Sequence, residues 1–270
     1  MRFCPNVSIL FKEVDLLERF AKTADAGFSG VEFWWPSGED LGAVEQAVKD
    51  SGLEVALFNF DAGDMPGGDR GLLSDSSRHE QFRDNVPVAL ELARSLGAPR
   101  LNALVGLEID GVDTDEQLSL ARDNIGFAAD QAAEHGIEVM IEAVNTFENG
   151  PYLLSTTAAG VEFIDSVGRD NVKLQYDAYH MQRMEGNVVD NLRKHFGRIT
   201  HVQVADSPDR DEPGTGELDY RSIFEAIEEL GYTGWIGLEY NPTTDTTEAS
   251  LEWLPGEKRG GDVAARELKL

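Results

Sequence analysis

Short apolar runs alternate with longer helix-patterned stretches from one end of this 270-residue chain to the other, and few folds accommodate that rhythm. The runs expected as strands are Phe3–Ser8, Gly30–Phe33, Glu54–Phe60, Arg100–Leu104, Glu138–Glu142, Val172–Tyr176, Ile199–Val204 and Trp235–Glu239. Repeated βα units call for a parallel sheet, and eight of them are the number that closes into a ring. The intervening stretches, such as VDLLERFAKTADAG and YRSIFEAIEELG, end in Gly, which reads as a helix C-cap leading into the next strand. The fold class is therefore α/β, a single (β/α)8 TIM barrel over residues 1–254. Residues 255–270, PGEKRGGDVAARELKL, hold few large apolar side chains and read as a C-terminal tail. One internal echo supports the repeat: AGFSGVEF at Ala26–Phe33 and LGYTGWIGLEY at Leu230–Tyr240 share the order Gly, aromatic, Ser or Thr, Gly, apolar strand, Glu, aromatic.

Four polar side chains interrupt this scheme at one place in the repeat. Glu142, Asp177, Gln203 and Glu239 stand at or near the ends of the runs IEVMIE, NVKLQYD, ITHVQV and WIGLE, 35, 26 and 36 residues apart. That is about one βα period, so a barrel gathers them at the C-terminal face of the strands. Three carboxylates collected there lose hydration and repel one another, so they need a cation or shared protons. A divalent metal meets the need. The irregular segments Asp61–Arg78 and Ala205–Tyr220 follow expected strands directly, which puts both loops over the same face.

Charge narrows the partners. The chain carries 50 acidic against 23 basic residues, a formal net charge of −27. Such a field repels nucleic acid and anionic membranes. It also suits concentrated salt, where self-repulsion is screened, so a halophilic source is expected. No run of 18 apolar residues occurs, and acidic residues enter MRFCPNVSILFKEVD before a signal-like core forms, so a cytoplasmic protein is expected. The single Cys4, in an apolar opening strand, reads as a buried inert thiol.

The segments LQYDAYHMQRMEG, HVQVADSPDRDEPGTGELDY, GLEY and LFNFDAGDMPGGDRG closely resemble the hydroxypyruvate isomerase family within the xylose-isomerase-like barrels. The resemblance runs from about Met1 to Trp253. It implies one divalent metal, Mg²⁺ or Mn²⁺, held by Glu142, Asp177, Gln203 and Glu239, with acid/base roles for Glu142 and Glu239. It implies conversion of hydroxypyruvate to tartronate semialdehyde, or action on a related 2-oxo sugar acid such as a 2-oxo-tetronate. The expected partner is that small molecule, with no nucleic acid and no membrane; a homo-oligomer is allowed.

The residue types suit the chemistry. Isomerising an α-hydroxy ketone moves a proton from the hydroxyl-bearing carbon to the former carbonyl carbon, through an enediolate charged on two adjacent oxygens. A hard cation chelated by both oxygens stabilises that charge, and oxygen ligands suit such a cation. Glu142 and Glu239, from separated strands, are placed to exchange protons from opposite sides; a single base moving the proton is the other scheme. His180, in YDAYH, is a donor for a substrate oxygen, against the plainer reading of a loop histidine bonded to backbone. Arg70 and Arg210 are candidates for the substrate carboxylate and oxygens, followed by Arg183; the plainer reading pairs them with Asp69, Asp209 or Asp211. Asn59, Asn102, Glu32, Trp34 and Trp35 are weaker candidates for the pocket wall. His201 shares the side-chain parity of Gln203, pointing inward either behind the ligands or as barrel filling.

Several rivals share the barrel. A ketose 3-epimerase is the nearest, since it uses nearly the same metal and paired Glu. An inosose dehydratase-like lyase, an apurinic endonuclease and a non-catalytic sugar-acid binding module are more distant. Five scattered histidines and the acidic field disfavour the endonuclease.

Overall fold

A computed structural model describes all residues, Met1–Leu270. The strands are β1 Arg2–Pro5, β2 Gly30–Phe33, β3 Glu54–Asn59, β4 Arg100–Ala103, β5 Glu138–Glu142, β6 Val172–Asp177, β7 Ile199–Val204 and β8 Trp235–Leu238. Neighbours pair in parallel in the order β1-β8-β7-β6-β5-β4-β3-β2. The ring closes where Asn6 bridges to Glu32 and the Val7 N–H donates to the Glu32 carbonyl at 2.9 Å. The (β/α)8 barrel expected from the alternation is the fold. β1 ends three residues short of its expected limit because the Asn6 side chain accepts the Ser8 N–H at 3.1 Å and turns the chain.

The strands present two different faces. Alternate residues such as Phe3, Val31, Phe33, Leu101, Val139, Ile141, Leu174, Val202 and Ile236 belong to the main apolar core, which fills the space between ring and helices. The other parity looks into the barrel. At its lower end Cys4, Ala56 and Trp235 form a small apolar cluster of their own, and above them the interior becomes polar. A polar barrel interior is costly, and the side chains in it bond one another, although some buried atoms, among them Glu142 Oε1 and Asp177 Oδ2, are left without a partner.

Helices cover the outside, the longest being His79–Leu96 and Thr114–Ala133. Asp40, Asp113, Thr156 and Asp219 cap helix N-termini with side-chain oxygens. β8 is followed by one turn of α-helix, Thr247–Ser250, and by two 3-10 turns, Gly256–Lys258 and Ala265–Glu267. Residues 255–270 lie against the barrel near the start of β1. Val263 exchanges backbone hydrogen bonds with Met1, Val263, Ala265 and Leu268 are buried, and Arg259 donates to the carbonyls of Ala26, Leu251 and Leu254. No helix is long and apolar enough to cross a membrane.

Candidate active site

A cavity of about 540 Å³ opens at the C-terminal ends of the strands. Glu142, Gln203, Glu239, His180, Gln175, Asn59, Arg70 and Arg210 line it, as do Trp34 and Trp35. The loop after β3 contributes residues 61–66 and Arg70, and the loop after β7 contributes Arg210. Asp177 and Asn102 stand just behind the wall, 1% and 0% exposed.

Local structure aims each acid. Asp177 closes β6 and caps the helix Ala178–Met184: its Oδ1 accepts the N–H groups of Tyr179 (2.7 Å) and His180 (3.4 Å). That fixes the carboxylate and leaves Oδ2 buried without a partner. Glu142, the last residue of β5, accepts at Oε2 from Gln175 (2.9 Å) and Asn102 (3.3 Å), and its Oε1 is likewise buried and unpartnered. The His180 Nε2 lies 3.7 Å from both Glu142 Oε1 and Asp177 Oδ2. Glu142, Asp177 and His180 thus bring one potential ligand atom each within 4.8 Å of the others, a group able to hold a metal ion when the histidine nitrogen carries no proton.

The tautomer of His180 follows from its neighbour. Asn145 caps the helix Thr146–Asn149, its Oδ1 accepting from Phe147 (3.1 Å) and Glu148 (3.2 Å). Its Nδ2 must then face His180 Nδ1, 2.7 Å away, so Nδ1 accepts and the ring proton sits on Nε2. Burial, then the nearby Arg210 charge, holds the ring's proton affinity well below the ordinary histidine value, so the imidazole is neutral. His180 therefore offers an N–H to this space. Two buried carboxylate oxygens with no donor remain, and they are what a hard cation would take.

Glu239 and Gln203 are engaged differently. Glu239 Oε2 pairs with Arg210 Nη2 at 2.7 Å, and its Oε1 accepts from Trp34 Nε1 (2.6 Å) and Asn6 Nδ2 (3.1 Å). Gln203 Oε1 accepts from Gln175 Nε2 at 2.6 Å, while its own Nε2 donates to Glu32 Oε1 at 2.6 Å. Of the four residues singled out by spacing, all meet in one place, but only Glu142 and Asp177 present unpartnered oxygens.

Crowding shows in the proton affinities. Burial is the largest cause for all three acids. Glu142 is raised well above the usual carboxyl value, with Glu239 and Asp177 adding repulsion. Glu239 is pushed up to about 7 and Asp177 to about 6, although the Arg210 charge pulls both down. Burial works against the Arg210 charge too, but Glu239, Asp177 and Glu142 outweigh it and hold the proton on.

The arginines do not form the pairs that sequence neighbours suggest. Arg210 bypasses Asp209 and Asp211 for Glu239, and its guanidinium lies 5.5 Å from the Tyr179 ring centre. Asp69 pairs with Arg78. Arg70 bonds only neutral acceptors, Asn149 Oδ1 (2.6 Å) and the carbonyls of Met65 (3.0 Å) and Asp69 (2.7 Å), so its charge has no carboxylate partner. Arg183 lies outside the cavity lining and stacks on Phe147, 5.0 Å from its centre. His201 points into the barrel and donates to Glu32 at 2.7 Å.

Sequence reasoning passed over Asn6, Gln175 and Asn145. Asn6 lies beyond β1 and Asn145 begins a helix, positions where Asn is common for turn chemistry alone. Gln175 was legible by parity, two residues before Asp177 on the same face of β6.

Residues 20–256 match the xylose isomerase-like TIM barrel family. The hydroxypyruvate isomerase of Escherichia coli K12 is 41% identical over 254 residues, covering 94% of this chain and 98% of that protein. The 2-oxo-tetronate isomerase of Cupriavidus necator is 38% identical over 253 residues, 94% and 97% of the two chains. Among solved structures, an AP endonuclease, family 2, from Brucella melitensis superposes with a TM-score of 0.89 at 40% identity, covering 93% of this chain and 97% of that one.

Proposed function

The chain belongs to the hydroxypyruvate isomerases of the xylose isomerase-like TIM barrels and is an isomerase, and we propose that it interconverts hydroxypyruvate and tartronate semialdehyde, or a close 2-oxo sugar acid, by metal-assisted proton transfer. One observation carries the mechanism: two buried carboxyl groups, Glu142 and Glu239, face a single cavity, and burial raises the proton affinity of both above the usual carboxyl value. A base works best when its pKa lies near the working pH, and burial moves Glu239 in that direction, to about 7 in the metal-free chain.

The donor set suits a hard divalent cation, Mg²⁺ or Mn²⁺, because the unpartnered atoms are carboxylate oxygens, Glu142 Oε1 and Asp177 Oδ2. Gln203 and Glu239 would complete the set. When bound, the ion supplies Lewis-acid stabilisation of charge on adjacent substrate oxygens. The rest falls to side chains. One Glu takes the proton from the hydroxyl-bearing carbon, and the other returns one to the former carbonyl carbon. His180 donates its Nε2–H to a substrate oxygen. Arg210 and Arg70 bind the oxygens and carboxylate of the substrate, with Asn59 and Asn102 at the wall. A nuclease reading, prompted by the Brucella relative, needs a surface that attracts a polyanion, which a net charge of −27 opposes.

The test is turnover in D₂O by the Mg²⁺- or Mn²⁺-loaded protein, offered hydroxypyruvate, 2-oxo-tetronates and neutral ketoses. Isomerisation of the acids with deuterium at the former carbonyl carbon is expected. Turnover of neutral ketoses alone, with inversion at C3, would make it an epimerase.

A further inference from the structure

One layer below the candidate ligands lies a carboxylate with no part in that mechanism. Glu32, on β2, is completely buried and receives four side-chain donors. Its Oε1 accepts from Gln203 Nε2 (2.6 Å) and Asn6 Nδ2 (3.1 Å), and its Oε2 from His201 Nε2 (2.7 Å) and Cys4 Sγ (3.6 Å). Space was left for it: a Cβ at Gly237, on β8, would stand 2.5 Å from Glu32 Oε1 and 2.6 Å from its carboxyl carbon.

The two ends of a glutamine side chain have nearly the same shape, so packing alone does not decide which faces where. Charge does. A carboxylate only accepts hydrogen bonds, so Glu32 requires the NH₂ end of Gln203. The carbonyl end is thereby turned to the other side, where it meets Gln175 Nε2, which in turn donates to Glu142 Oε2 at 2.9 Å. Asn6 carries the same order to a second ligand, since its NH₂ bridges Glu32 and Glu239.

We propose that Glu32 is a positioning residue that fixes the carboxamide of Gln203 so that its oxygen faces the Glu142–Asp177 site. The inference rests on the metal-dependent reading above. Groups that orient metal ligands from behind typically change metal affinity by about 10- to 100-fold when removed.

Mn²⁺ binding, measured by calorimetry on chelator-treated protein, separates this role from simple core filling. In Glu32→Gln, position 32 no longer demands a donor from Gln203, and Mn²⁺ affinity is expected to fall by about tenfold or more. Gln203→Glu alone adds a charged oxygen ligand, which ligand chemistry alone would expect to bind more tightly. Here the new carboxylate faces Glu32 where a donor stood, and weaker binding is expected. The exchanged pair E32Q/Q203E restores a donor-to-carboxylate contact with the net charge unchanged, and affinity is expected to return toward wild type. Wild-type affinity in E32Q, or an exchanged pair binding no better than Q203E, would overturn the role of Glu32. The Q203E comparison decides the matter should E32Q fail to fold, as judged by circular dichroism. Wild-type protein that binds one Mn²⁺ but turns over no 2-oxo acid would refute the substrate reading and leave Glu32 standing; wild type that binds none would sink both.

Discussion

Glu32 and Glu142 are both buried carboxylates inside one barrel, and they are treated in opposite ways. Glu32 has donors on both oxygens, four in all. Glu142 has two donors on Oε2 and none on Oε1, with the equally bare Asp177 Oδ2 beside the same histidine. Leaving one buried charged oxygen without a partner costs several kcal/mol, and two in one place compound the cost. Around Glu32 both carboxylate oxygens are matched and only His201 Nδ1 stands without a partner, whereas the layer above holds two bare carboxylate oxygens that the chain does not satisfy. Within a polar interior, the bare carboxylate oxygens rather than the acidic residues themselves mark the reactive level.

Removing charge from each layer in turn separates their roles most directly. Glu142→Gln and Glu239→Gln should each lower kcat by about 10²- to 10⁴-fold, the range for a positioned acid or base, even with metal at saturation. The metal-free protein should respond in the other sense. Glu142→Gln relieves repulsion and is expected to raise the melting temperature, while Glu32→Gln leaves four donors short of an acceptor and is expected to lower it. Shifts of the same sign in the two variants would show that the layers are not distinct.

The pH dependence sharpens the same contrast. A carboxyl whose folded pKa is raised costs nothing below its unfolded value and withdraws stability as pH climbs through the folded one. For Asp177 and Glu239, at about 6 and about 7, that window runs from roughly pH 4 to 7. At about 1.4 kcal/mol per unit, the site withdraws on the order of a few kcal/mol from the metal-free protein by pH 8. The gain in melting temperature on adding Mn²⁺ should therefore be larger at pH 8 than at pH 5. In metal-free protein the advantage of Glu142→Gln over wild type should also grow with pH; the rest of the −27 charge is common to both and cancels.

The lower layer can be tested without touching a polar group. Gly237→Ala forces a methyl against Glu32 and is expected to cost about 1–3 kcal/mol, the usual penalty of overpacking. Gly126, inside the helix Thr114–Ala133, has nothing within 4 Å of the same added atom. Gly126→Ala should be neutral or stabilising by up to about 1 kcal/mol. Equal thermal shifts in the two variants would mean that the space beneath Glu32 is not tightly fitted.

Period and parity made much of this architecture legible, and they stop where hydrogen-bond direction begins. Alternation gave the barrel, and β2, β5 and β7 have the limits expected from their apolar runs. Strand-end spacing brought Glu142, Asp177, Gln203 and Glu239 to one cavity or its wall. The echo between Ala26–Phe33 and Leu230–Tyr240 misleads about depth. Gly30 lies against Trp235 and Glu32 against Gly237, so Glu32 stands a layer below Glu239 despite the shared motif. The extra residues in WIGLE raise the second Glu to the ligand level. Neither the pairing of Arg210 with Glu239 nor the Asn145 contact that sets His180 follows from spacing, because both depend on loops returning over the face.

Cations obey the same division as the acids, at the smallest expected cost. Arg210 is matched within the protein by Glu239, while Arg70 is held at the cavity by neutral acceptors alone. An arginine spared a carboxylate partner in a chain with 50 acidic residues is suited to a carboxylate that arrives with the substrate. Arg70→Gln should then raise KM for hydroxypyruvate by about tenfold or more, equivalent to about 1.4 kcal/mol of lost binding, with a small effect on kcat. KM for a neutral ketose, where turnover is measurable, should barely change. An equal rise for both substrates would return Arg70 to the role of a loop brace between Met65 and Asn149.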